Sequence, residues 1–79
     1  MVRVYELMPN DSHKSFYGKA RVFEDGDTQT LVSYDTAVMR CVNGEYERLW
    51  GGWSATTGRH IKAFSGLSKK DWDAMPVKR

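Results

Sequence analysis

As far as Trp50 the chain alternates apolar and polar positions in short runs, and beyond it the interval lengthens to that of a helix. Strict alternation marks a strand, because successive side chains leave opposite faces. Met1 to Met8 alternates loosely, Val2 and Val4 against Arg3 and Tyr5, and predicts a first strand that Pro9-Asn10-Asp11-Ser12 ends. Phe16 to Asp25 predicts a second, with Phe16, Gly18, Ala20 and Val22 on one face and Tyr17, Lys19, Arg21 and Phe23 on the other. The small residues Gly18 and Ala20 point to a close neighbour on their side. Asp25-Gly26 turns the chain into a β-branched third strand, Thr28 to Tyr34. Thr36 to Val42 follows, with Ala37, Met39 and Cys41 opposed to Val38, Arg40 and Val42. Asn43-Gly44 is the strongest hairpin signal, since both residues tolerate positive φ, and it leads into Glu45 to Trp50 as the fifth strand.

The helical interval lies between Ser54 and Gly66. Thr57, Ile61 and Phe64 fall at i, i+4 and i+7, and His60 and Leu67 extend that stripe, while Arg59 and Lys62 fall opposite. Ser54 suits the N-cap and Gly66 the left-handed closing residue. Ser68-Lys69-Lys70-Asp71 resembles a capping box for a short second helix through Trp72 to Met75, which Pro76 stops, leaving Val77-Lys78-Arg79 as a frayed tail.

Together these elements predict one α+β domain over residues 1–79, an antiparallel meander of about five strands with one main C-terminal helix across one face and a short second helix. The other sheet face is then partly wet, or used to bind.

Composition adds limits. At 41% hydrophobic and 28% charged the chain is globular rather than disordered. A domain this short has little protein to spare for a deep active-site cleft. The formal charge of +2 argues against an acidic nucleic-acid mimic and is only weak support for a nucleic-acid binder. A single cysteine, Cys41, forms no intramolecular disulfide and reads as a small hydrophobe. Without a signal peptide, long apolar run or lipidation signal, the sequence reads as cytoplasmic and not membrane-bound.

Three stretches carry a resemblance. Ser15-Phe16-Tyr17-Gly18-Lys19-Ala20, Leu31-Val32-Ser33-Tyr34-Asp35-Thr36-Ala37-Val38, and Trp50 to Phe64 with its Ser-Ala-Thr-Thr-x-Arg-His-Ile-x-x-Phe run resemble a group of small phage, prophage and mobile-element proteins of gut and Gram-positive bacteria. Ser68-Lys69-Lys70-Asp71-Trp72 is similar to their usual ending. The resemblance implies no catalytic residue. It implies an accessory protein that binds a bacterial host or defence protein, anti-CRISPR proteins being the best-known case of that behaviour.

The candidate chemistry is weighed against that expectation. His60 with Ser33 or Ser54 and Asp11 or Asp35 suggests a hydrolase trio, but no strained nucleophile turn is signalled, and a histidine on a helix stripe is usually packed. Cys41, His13 and His60 have none of the spacings of a zinc site, so no metal and no cofactor is expected. Thr56, Thr57, Arg59 and His60 near the helix start, after Gly51-Gly52, suit a phosphate, yet no P-loop pattern accompanies them. Arg59, Lys62, Lys69, Lys70, Lys78 and Arg79 suit single-stranded nucleic acid if Tyr17, Tyr34 or Trp72 stands exposed beside them. Of the tryptophans, at least one belongs in the core and an exposed one beside arginine marks an interface. The reading is therefore a non-enzymatic protein-binding protein, monomer or homodimer, with Tyr17, Trp53, Arg59, His60 and Lys62 as contact residues. A small nucleic-acid-binding module is the alternative.

Overall fold

In the computed structural model, which describes residues 2–8 and 18–78, five strands form one antiparallel sheet in the order β1-β2-β3-β4-β5. They are β1 (Val2–Glu6), β2 (Ala20–Asp25), β3 (Thr28–Ser33), β4 (Thr36–Val42) and β5 (Glu45–Arg48). Helix α1 (Ala55–Ser65) and the short α2 (Lys69–Ala74) follow. The α+β meander with one main and one short helix is thus the observed fold. Asn43 (φ 52°) and Gly44 (φ 85°) make the expected tight turn, and Tyr34 takes φ 56° between β3 and β4, where a side chain of its size is strained.

The core lies between the sheet and the helices: Ala20, Val22, Leu31, Val38, Met39, Ile61 and Trp72 are all buried. Burying each of the larger aliphatic side chains contributes about 1.5–3 kcal/mol before entropy is subtracted. Thr57, His60 and Ile61 of the anticipated stripe are buried, Phe64 and Leu67 half-buried, and Arg59 and Lys62 exposed. Ser54 caps α1 through Thr57 N–H, and Gly66 (φ 78°) closes it with a bond to the Lys62 carbonyl. Ser68 and Asp71 form the capping box of α2; the Ser68 backbone N–H and then its hydroxyl hold the Asp71 carboxyl below its ordinary pKa.

Four expectations change. The second strand starts at Ala20, not Phe16; Phe16 and Tyr17 lie outside the described residues, and Gly18 serves a turn (φ 73°) rather than a close approach, since a Cβ there would meet nothing. The alternation of β4 is broken: Leu31 opposes Met39 while Val32 opposes Ala37, so Val38 is an extra residue. This bulge turns both Val38 and Met39 inward, and Val38 O accepts from Leu49 N (2.9 Å) and Trp50 N (3.1 Å). The fifth strand ends at Arg48 rather than Trp50. Finally, Val77 is no frayed tail: it forms a parallel bridge with Arg48, and Lys78 N donates to Arg48 O at 2.6 Å, capping the outer edge of β5 at its Arg48 end.

Arg48 explains that cap. It is buried, and its guanidinium donates to the carbonyls of Trp50 (2.9 Å), Gly51 (2.9 Å), Trp72 (2.7 Å) and Met75 (3.1 Å). It also lies over the Trp72 ring, 4.7 Å from the centroid. One cation thereby ties the sheet edge, the Gly51-Gly52 turn and the end of α2 together.

Candidate functional site: a cationic groove floored by tryptophan

Between α1 and the start of α2 the surface opens into a groove of about 280 Å³. Trp53, Ala55, Gly58 and Leu67 supply apolar lining, and Arg59, Lys62 and Lys69 the charge. Local sequence accounts for the shape. The Trp53 indole packs closely against Gly58, where an added Cβ would collide with the ring. Behind it stands the buried Trp72, its ring centroid 6.5 Å from that of Trp53 at an interplanar angle of 51°. Trp72 is itself fixed by a bond from Nε1 to the Gly52 carbonyl, 2.8 Å. The exposed side of α1 then carries Arg59 and Lys62 beside an anchored indole, while Lys69, in an i,i+4 ion pair with Asp73 (2.8 Å), stands at the groove through α2.

Three of the five residues expected to make contacts, Trp53, Arg59 and Lys62, line this groove together. Tyr17 lies outside the described residues. His60 lies elsewhere and inside, 1% exposed. Its Nδ1 is 2.8 Å from Ser33 Oγ, which is 3.0 Å from Thr57 Oγ1. Burial holds its pKa below the ordinary histidine value. Ser33 is 2% exposed, so the trio joins α1 to β3 by hydrogen bonds and does not offer a hydroxyl to an outside substrate. The Tyr34 ring stands at its edge, 6.0 Å from the imidazole.

Among the described residues, two further basic side chains, Arg40 and Lys78, are engaged away from the groove. Arg40 pairs with Glu47 across β4 and the edge strand β5, and Lys78 reaches the same carboxylate at 3.2 Å. Those two bonds, Arg40's first, hold the Glu47 carboxyl below its ordinary pKa. Trp72, a candidate stacking platform in the sequence, is buried. Among the described residues no group of three His, Cys, Asp or Glu side chains is placed to hold a metal, Cys41 is a buried free thiol, and no helix is long and apolar enough to cross a membrane. Lys69, expected in a basic stripe, lies at this groove, while Leu67 and Ser68 were missed as site residues, because only the packing of α2 against α1 brings them to Trp53.

The fold and groove define a small α+β scaffold of sheet and helix, with an indole-floored cationic recess at the helical end. The chain belongs to the DUF8033 family, a family of unknown function whose model matches residues 5–75. No curated protein and no solved structure matches it.

Proposed function

We propose that this is a non-enzymatic accessory protein, of the phage and mobile-element kind that its motifs resemble, acting in the bacterial cytoplasm by binding a host or defence protein and blocking it. The observation that carries the reading is the convergence of Trp53, Arg59 and Lys62 on one groove. An anchored tryptophan beside arginine is the composition of an interface hot spot. The chemistry that fits is an acidic segment with an apolar anchor: the anchor lies on Trp53 and Leu67, and the carboxylates meet Arg59, Lys62 and Lys69. A buried, unpaired thiol at Cys41 suits a reducing compartment.

Selection from a displayed peptide library tests this. Wild-type protein is expected to enrich acidic sequences with one large apolar residue, and Arg59→Glu with Lys62→Glu to lose them while keeping its circular dichroism. Enrichment that is indifferent to both reversals would refute the groove as the site.

The second reading, a small nucleic-acid-binding module, draws on the same indole and cations, which suit a stacked base and its phosphates. It requires affinity for single-stranded oligonucleotides that falls steeply with salt. The compact, apolar recess and the modest charge favour the protein partner.

A further inference from the structure

Among the described residues, four of the six exposed large hydrophobics, Val2, Val4, Tyr5 and Met8, lie on or just after β1. Val2 is 56% exposed, Val4 53% and Tyr5 42%, and all five residues of the strand are exposed. The helices do not cover this edge.

The backbone there is self-complementary. Leu7 N donates to Ala20 O at 2.9 Å, and the register runs from Val2↔Asp25 to Glu6↔Arg21. Antiparallel pairing alternates, so Arg3 and Tyr5 spend their backbone groups on β2, while Val2, Val4 and Glu6 turn theirs outward. We propose that β1 pairs with β1 of a second copy of this chain, antiparallel about a two-fold axis at Val4, to make one continuous sheet across a homodimer.

In that register Val4 faces its own copy and Val2 faces the partner's Glu6, and each such pair exchanges two backbone hydrogen bonds. Arg3 lies opposite the partner's Tyr5, within reach of a cation–π contact. Shifting the axis to Arg3 sets arginine against arginine, and shifting it to Glu6 sets glutamate against glutamate, both unfavourable. The Val4 axis pairs all five residues and avoids each clash of charge. The strand carries none of the proline, lysine or bulge that usually blunts a free edge. The opposite edge differs: at its Arg48 end β5 is already paired with Val77 and Lys78. A two-fold pairing through one edge closes, whereas a sheet open at both edges propagates. The proposal does not depend on what the groove binds.

Sedimentation equilibrium over a range of concentrations, with two variants, decides it. Val4→Pro removes an N–H that none of the five described strands uses, so the monomer is expected to keep its fold while the dimer dissociation constant rises at least about tenfold. Val4→Cys is expected to yield a disulfide-linked dimer on mild oxidation, since a hydrogen-bonded pair sets Cα atoms about 5.5 Å apart, within disulfide range; Cys41 is buried and does not compete. A wild-type chain that stays monomeric at every concentration overturns the proposal. So does a Val4→Pro chain that dimerises as wild type does, or cross-linking that is efficient from Val2→Cys and absent from Val4→Cys.

Discussion

Four carbonyl groups and the face of an indole converge on the Arg48 guanidinium, so that side chain is worth more than its single charge suggests. Lysine cannot reproduce a planar fork reaching several acceptors. Arg48→Lys is expected to lose about 1–3 kcal/mol, and Arg48→Met more, because the acceptors are then buried without donors. Urea unfolding measures both, and retention of wild-type stability by Arg48→Met would contradict the clamp. His60 makes a prediction in pH. Its folded pKa is depressed by burial, so the unfolded chain binds the proton more readily. Stability is therefore full above the unfolded value of about 6.5 and falls as pH drops through that value toward the folded one. His60→Asn is expected to flatten the slope in that window, while the loss at lower pH from Glu47 and Asp71, both depressed, persists. Equal slopes in the two proteins would show that His60 is not the group responsible.

At the scale of elements, α1 is where groove and core meet. Alanine at Gly58 improves helix propensity by up to about 1 kcal/mol, yet its methyl collides with the Trp53 ring. Gly58→Ala is expected to displace the indole, shift the tryptophan emission spectrum and weaken peptide binding at the groove; an unchanged spectrum would mean the ring has room to spare. Much of this level was legible in the sequence. The helical interval from Thr57, its caps at Ser54 and Gly66, the Asn43-Gly44 hairpin and the Ser68–Asp71 box depend on neighbours a few residues apart, and local physics governs them. The bulge at Val38, the clamp by Arg48 and the pairing of Val77 depend on groups distant in sequence. Alternation in Thr36 to Val42 reads as regular until the carbonyl of Val38 is seen accepting from both Leu49 and Trp50. The groove was legible by half for the same reason: Trp53, Arg59 and Lys62 belong to one segment, whereas Leu67 and Lys69 arrive through packing.

At the scale of the molecule, the sheet face turned away from the helices gathers Phe23, Thr30 and Val32 with the paired Arg40 and Glu47, all half-exposed. The Val4 axis would run this face unbroken from one copy into the next and give the assembly two grooves, related by the two-fold. A partner bearing two acidic segments would then gain from simultaneous engagement, provided its own spacing allows it.

Because every strand in the meander adjoins its predecessor along the chain, and β2 to β5 are joined by tight turns, sheet assembly from β2 to β5 needs only short loop closures. Such topologies fold quickly for their class, and the docking of the C-terminal third through Ser33–His60 and Arg48–Trp72, whose partners lie 27 and 24 residues apart, is expected to come late. Weakening either link should therefore hasten unfolding far more than it slows folding, a difference that stopped-flow chevrons resolve.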